Sequence, residues 1–260
     1  MKQHSNITDK ELLLNAISEL QNLFGNSFTT NESILNRHGQ DEAYHPVAPP
    51  DAVVFPKTTE EVKKVIKICQ RFRIPVVPFG VGTSLEGGVC AIHGGVSIDF
   101  SEMNKVLQVN NDDMDCLVEA GVTRKQLNNY LKNSGLFFPV DPGADATIGG
   151  MTATSASGTM AVKYGTMKTV ITGLTVIIAS GEIIRTGTRT KKTAAGYNLT
   201  NLFIGSEGTL GIISEIHLRL SPIPENIMSA ICQFDNLEQS VLTAKEIIQY
   251  GVQIARIEML

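Results

Sequence analysis

The sequence predicts an α+β fold built in two successive layers, and three observations carry that prediction. Short apolar runs alternate with helical spacing between residues 52 and 100 and again between 106 and 135. Two glycine-rich loops each adjoin a strand-like run, and a long stretch of small residues lies between them. With 260 residues, 42% of them hydrophobic, the chain can bury one large core or two modest ones. A net charge of -4, with charges dispersed, lacks the basic footprint of nucleic-acid binding and leaves a small molecule as the expected partner.

Taken in order, Glu11 to Phe24 sets Leu13, Ile17, Leu20 and Phe24 near helical spacing and stops at Gly25, which predicts an amphipathic helix with a glycine cap. Met1 to Thr30 holds Asp9, Glu11 and Glu19, no Arg and no uninterrupted apolar run, so neither a secretory signal nor an Arg-rich transit peptide is expected. The most apolar run, Leu174 to Ala179, is too short to span a bilayer. Arg37 to Pro50, polar and then proline-bearing, reads as an extended lead-in loop whose His38 and His45 are expected to be solvated. Ala52 to Phe55 reads as a strand. Thr58 and Glu61 read as a capping box for a helix facing inward through Val62, Val65, Ile66 and Cys69, and Pro75 to Phe79 as the next strand.

That β–α–β unit delivers the first glycine loop, with four glycines from Gly80 to Gly88. Glycines let main-chain N–H groups converge where a Cβ would block them, which is what a phosphate anion needs. The dinucleotide fingerprint fails because its third glycine position falls on Leu85 and no amphipathic helix follows. A Walker A loop fails because Gly88 and Val89 stand where Lys and Ser or Thr belong. Taken alone, the loop leaves open a second reading, as a glycine-rich hairpin connection without a ligand.

Val96 to Phe100, Val106 to Val109 and Leu117 to Ala120 read as strands. Thr123 and Gln126 cap a helix running through Leu127, Tyr130 and Leu131 to Gly135. From Asp141 to Thr166 small residues dominate, a poor core but a close-contact surface for a flat ligand. Ile148, Met151, Met160, Val162 and Tyr164 interrupt them, unlike a Gly/Ser tether. Gly173 to Ile178 and Glu182 to Thr186 read as a hairpin about Ser180-Gly181, Lys191 and Lys192 as a solvated rim, and Asn198 to Phe203 as a short turn. The second constellation, Gly205 to Ile213, runs into a strand from Ser214 to Leu220, where His217 is expected to be a surface or satisfied position rather than a base. After Pro222 and Pro224 a new β–α–β pattern starts with Met228 to Phe234 and Leu237 to Tyr250. Residues 1–48 are thus an N-terminal helix and lead-in, 49–224 the main domain, and 225–260 the beginning of another. Cys69, Cys90, Cys116 and Cys232 lack metal or C-x-x-C spacing and read as separate reduced thiols in a core, in keeping with a reducing compartment.

Three blocks resemble a known family: PFGVGTSLEGGVC from Pro78, FPVDPGADATIGG from Phe138 and AGYNLTNLFIGSEGTLG from Ala195. They resemble the FAD-linked oxidoreductases of the vanillyl-alcohol oxidase superfamily, closest to the D-lactate dehydrogenase (cytochrome) and glycolate oxidase D-subunit group. The resemblance covers roughly Pro49 to Pro224. It implies a two-subdomain PCMH-type FAD-binding domain followed by the start of an α/β cap domain. It also implies oxidation of a D-2-hydroxy acid such as D-lactate by hydride transfer to FAD, with electrons passing to a cytochrome, quinone or electron-transfer flavoprotein. D-2-hydroxyglutarate or glycolate oxidation and a non-catalytic flavin-binding fragment are the alternatives.

The same resemblance implies the contacts. Amides of Gly80, Val81, Gly82, Thr83 and Ser84, beside Phe79, hold the pyrophosphate, with Gly87 and Gly88 completing the turn. Pro142, Gly143, Ala144, Thr147, Gly149 and Gly150, then Ala156, Ser157 and Gly158, then Tyr164 and Gly165, follow the flavin and its ribityl chain. Glu207, Gly208, Gly211, Ile212 and Ile213 approach the adenosine. Thr83 stands where some relatives attach flavin through His, so FAD is expected to be non-covalent. Family members are about twice as long, so the catalytic base and any metal ligands are expected beyond Leu260, with no metal site in these residues. The protein is expected in the cytoplasm or at the periphery of the inner membrane, and in mitochondria if the source is eukaryotic.

Overall fold

A computed structural model describes residues 7–259; residues 1–6 and 260, including the start of the stretch read for targeting signals, lie outside the described residues. Helix α1 (Ile7–Phe24) ends at Gly25 as its spacing predicts and lays Ala16 and Leu20 inward. A 3-10 turn, Gly25–Ser27, leads to strand β1 (Phe28–Thr29) and then to helix α2 (Glu32–His38), whose first amides are taken up by the Asn31 side chain. Arg37 and His38 therefore belong to a helix, not to the lead-in loop, which starts at Gly39.

Strand β2 (Ala52–Val54), helix α3 (Thr59–Phe72), strand β3 (Val76–Phe79) and strand β4 (Val96–Asp99) complete the first layer. Its sheet runs β1-β2-β4-β3: β4 inserts between β2 and β3 and is parallel to both, while β1 closes the edge antiparallel. The Thr58 side chain accepts the Glu61 amide at 3.2 Å, but the Glu61 carboxylate accepts the amide of Lys57 at 2.6 Å instead of returning to Thr58. Val62, Val65, Ile66 and Cys69 are buried as the spacing requires.

The second layer is an antiparallel sheet of order β5-β6-β10-β8-β9. Its strands are β5 (Val106–Asn110), β6 (Asp115–Glu119), β8 (Ile171–Ile177), β9 (Ile183–Gly187) and β10 (Ile212–Arg219). Between β6 and β8 lie helix α4 (Arg124–Leu131), strand β7 (Leu136–Phe137) and the short helices α5 (Ile148–Ala153), α6 (Ala161–Tyr164) and α7 (Met167–Val170). Helix α8 (Leu199–Phe203) replaces the turn expected there, and β11 (Ser221–Pro222) pairs with β7. The Thr123–Gln126 capping box of α4 forms in full, and Leu127 and Leu131 bury, whereas Tyr130 faces solvent.

One hydrophobic core joins the layers, running from Ile98 and Met103 through Leu127 and Ile148 to Ile216 and Leu218. The Thr59 hydroxyl reaches Ser214 Oγ at 3.0 Å and ties α3 to β10. Past β11 the expected pattern is half present: α9 (Leu237–Gln249) forms, but Met228 to Phe234 makes no strand, and no residue of α9 is buried. A strand needs a neighbour to receive its ladder, and among the described residues no strand pairs with that segment.

The thiols divide by burial. Cys69 and Cys116 lie in the core, Cys90 is half-buried and Cys232 is exposed, which corrects the expectation that all four are core thiols. Burial pushes the Cys69 thiol up from 9.0 to about 12, and burial, with Asp115 beside it, does the same for Cys116. Above pH 9 the unfolded chain releases these protons while the folded chain keeps them, so stability is expected to fall as pH rises from about 9 toward 12. A thiol reagent at pH 8 should label Cys232 at once and Cys69 and Cys116 only on unfolding. Equal native rates at all four, read by peptide mass, would contradict this burial.

Candidate cofactor site

The first sheet delivers the site. Phe79 ends β3 buried beneath the loop, its ring 4.2 Å from that of His38. Beyond it, Gly82 and Gly87 take φ of +74° and +76°, left-handed values that favour residues without a Cβ. Among the described residues no hydrogen bond within the chain uses the amides of Val81, Gly82, Thr83 or Ser84. A run of unspent amides in a loop is an anion-binding surface.

This loop forms one wall of an open cleft, with Gly80, Val81, Gly82, Thr83, Ser84 and Gly88 on it. The small-residue stretch forms the facing wall through Pro142, Ala144, Thr147, Gly150 and Ala156, and Glu207 of the second glycine constellation closes a side. Three segments far apart in sequence thus meet on one cavity. Thr147 is central: its Oγ1 accepts the Gly150 amide at 3.2 Å as the cap of α5, and a Cβ on Gly80 would collide with that oxygen. The second constellation is fastened to α5, the Gly205 amide donating to Thr152 O at 3.0 Å and the Glu207 amide to Ala153 O at 3.1 Å. A Cβ on Gly208 would come within 2.8 Å of the Pro78 ring in β3, and one on Gly88 within 3.3 Å of Glu207 Oε2, so the second glycine loop meets both the first and the strand that delivers it.

Other residues named from the sequence stand behind these walls. Gly149 packs on Ala120, to whose carbonyl its amide donates at 2.8 Å, and Gly158 packs on Asp141. Gly211 abuts Val176 and Ile177, while Ile212 and Ile213 are buried in β10. Tyr164 meets Phe137 edge-on at 5.5 Å, with Gly165 next to it at the end of α6. Gly143 and Ser157 are exposed outside the lining. The sequence reading missed Pro78, Val89, Ala146, Met151, Ala153 and Thr154, all of which line the cleft. Four of these belong to the run that enters, forms or closes α5; the one signal for that helix was Thr147 as a cap ahead of Ile148.

Two histidines expected in solvent are held. His38 is buried, its Nε2 2.7 Å from Asp99 Oδ2 and its Nδ1 2.8 Å from Ile34 O. His45 Nδ1 lies 3.0 Å from Asp41 Oδ2. Burial pushes the Asp41 carboxyl up, but the amides of Ala43 and Gly87 and the His45 ring outweigh it and hold Asp41 below the ordinary 3.8. His217 is a satisfied strand position, with Nδ1 3.0 Å from Thr172 Oγ1. Burial lowers its pKa, Asp115 opposes that, and Arg189 adds to it.

A sequence profile described as "FAD binding domain" matches residues 50–187. The chain belongs to that family. It is 54% identical over 231 residues to a probable mitochondrial D-lactate dehydrogenase of Danio rerio, covering 88% of this chain and 46% of that protein. It is 44% identical over 253 residues to the mitochondrial D-lactate dehydrogenase [cytochrome] of Arabidopsis thaliana, covering 96% and 45%. It is 38% identical over 213 residues to glycolate oxidase subunit GlcD of Bacillus subtilis, covering 81% and 45%. The chain therefore spans a little under half the length of these relatives. Among solved structures, alkyldihydroxyacetonephosphate synthase shares the fold at a TM-score of 0.78 and 23% identity, over 96% of this chain and 50% of that one. p-Cresol methylhydroxylase does so at 0.69 and 24%, over 84% and 45%.

The FAD binding domain fits its cofactor on the cleft's own terms: unspent amides suit a pyrophosphate, and walls of Gly, Ala and Thr suit an extended, flat molecule. Gly82→Ala adds a Cβ at positive φ, costing about 1–2 kcal/mol, and sets it 3.2 Å from the Phe79 ring. Gly135→Ala meets the same φ of +74° with nothing within 4 Å. Both variants should lose thermal stability, Gly82→Ala the more because its Cβ also crowds Gln40 O at 3.3 Å. Gly82→Ala alone should weaken FAD binding, by roughly tenfold for each 1.4 kcal/mol, as read by quenching of flavin fluorescence.

Proposed function

We propose that this chain is the flavin-binding part of a D-lactate dehydrogenase that oxidises D-lactate to pyruvate and passes electrons to a cytochrome. The observation that supports the reading most is the cleft formed by the three sequence blocks, in a chain 54% identical to a probable D-lactate dehydrogenase. Bound FAD supplies the hydride acceptor. The chain's own residues hold and orient it: Gly80 to Ser84 and Gly88 present the main chain to the pyrophosphate. Thr147, Gly150 and Ala156 lie along the flavin and ribityl chain, and Glu207 stands at the adenosine end. Gly149, Gly158, Gly208 and Gly211 act from behind, by letting the walls approach one another, and Ile212 and Ile213 anchor β10 in the core.

The cofactor is held without a covalent bond in this reading, since the residues lining the cleft include Thr83 but no His or Cys. A mitochondrial location in a eukaryotic source follows the Danio and Arabidopsis relatives. A second reading, glycolate oxidation, is favoured by the likeness to the Bacillus glycolate oxidase subunit.

An absorbance spectrum before and after acid precipitation tests the cofactor reading. Flavin bands should pass into the supernatant; bands retained in the pellet would sink non-covalent binding, and a folded chain that stays colourless with added FAD would sink the reading itself. Anaerobic titration of a chain completed to the length of the relatives should bleach the flavin faster with D-lactate than with glycolate. The reverse order would favour the second reading.

A further inference from the structure

The glycine loop does not stand alone, for the lead-in segment wraps its outer side. The Asp41 side chain is wholly buried. Its Oδ2 accepts the Gly87 amide at 2.8 Å and faces His45 Nδ1 at 3.0 Å, and its Oδ1 accepts the Ala43 amide at 3.0 Å. The Glu42 amide donates to Ser84 O at 3.3 Å. Gln40 O would stand 3.3 Å from a Cβ on Gly82, and the His45 ring 3.3 Å from one on Gly87. Gly82, Ser84 and Gly87 are thus each braced from residues 40–45.

A buried carboxylate is tolerated only when its acceptor sites are filled, and here three donors fill them. Next to a loop that meets an anion, its negative charge gives no attraction, so its contribution is to shape. The Gly87 amide, being spent on Asp41, is also unavailable to a ligand. That glycine is where the loop is pinned, not where it grips.

We propose that Asp41 is a positioning residue for flavin binding: with His45 beside it, it pins the Gly87 amide and holds the 80–88 loop in its ligand-ready form before FAD arrives. The inference rests on the reading of the cleft as the FAD site, and its test separates the two. Asp41→Asn is nearly isosteric but sets an NH2 group against one of the two amides. Asp51→Asn is the control, because Asp51 accepts the Gly95 amide at 2.6 Å in the same manner away from the cleft lining.

Hydrogen exchange of the FAD-free chain and FAD titration by fluorescence quenching are the two readouts. Asp41→Asn should speed exchange of the Glu42, Gly87 and Cys90 amides, which are hydrogen-bonded within or onto the loop, about tenfold and raise the FAD dissociation constant about tenfold. Asp51→Asn should leave both within about twofold, whatever it costs in melting temperature. If Asp41→Asn fails to fold, His45→Gln, at a partly exposed side chain, should move both readouts the same way by about threefold. Unchanged loop exchange in the folded variants, or equal losses of FAD affinity in Asp41→Asn and Asp51→Asn, would overturn the proposal. Wild-type chain that binds no FAD would instead overturn the cofactor reading, while loop exchange would still decide whether Asp41 is the brace.

Discussion

At Thr147 the two layers meet across a single hydroxyl, and the cleft has its shape because Gly80 and Gly150 carry no side chain there. The segment around Thr147 is itself threaded into the second layer. Ala146 accepts the Arg124 amide at 3.0 Å, the Ile148 amide donates to Val122 O at 2.7 Å, and Thr147 bridges to Thr123. The capping hydroxyl of α5 is therefore fixed by the β6–α4 connection, and the glycine loop is fixed by β3 and by the lead-in segment. Neither layer alone defines the distance between the walls. Their separation is a property of the shared core, where Ile148 lies with Ile98 and Ile216.

Walls of glycine and alanine bury little apolar area, so they contribute little to stability. The surrounding core has to hold them, and it also has to hold strain. Ser155 and Glu207, both non-glycine, take φ of +52° and +48° beside the cleft. Such backbone costs of order 1 kcal/mol or more and persists only where neighbouring structure over-determines it. Here the hydrogen bonds from Gly205 and Glu207 to the end of α5 do that. The strained residues flank the point where the second glycine constellation meets the first, which concentrates the unfavourable backbone where a ligand would be gripped.

Much of this was legible in the sequence for local reasons. The cap of α3 and the full capping box of α4 announce themselves within four residues, and the β8–β9 hairpin follows from its Ser180-Gly181 turn. The glycine blocks marked three segments of the cleft, because chain segments that must approach one another closely leave glycine behind. What was not legible depends on distant partners. His38 looked solvated because Asp99, which holds it, lies 61 residues away, and Asp41 went unremarked because its partner Gly87 lies 46 residues away. Helix α5 was hidden by Gly149 and Gly150, poor helix formers that are present because Ala120 and Thr147 leave no room for a Cβ. The strand read at Met228 to Phe234 had the right composition, but composition cannot supply the neighbour that a ladder requires.

The charge of the cleft explains why these distant braces matter. Among the described residues its lining contains no Lys or Arg, and Glu207 is its one ionisable side chain. A dinucleotide pyrophosphate therefore has to be met by main-chain dipoles, which are individually weak and act only over short distances and in the right direction. A lysine can follow a displaced phosphate with its flexible stem; an amide cannot move without its loop. Affinity in such a site depends on holding several amides in register before the ligand arrives, since ordering them on binding would subtract from it. That requirement gives a physical reason for a fully buried carboxylate on the outer side of an anion-binding loop. On the proposal that this cleft holds FAD, the segment preceding the first strand of the family match serves the site as well as the fold.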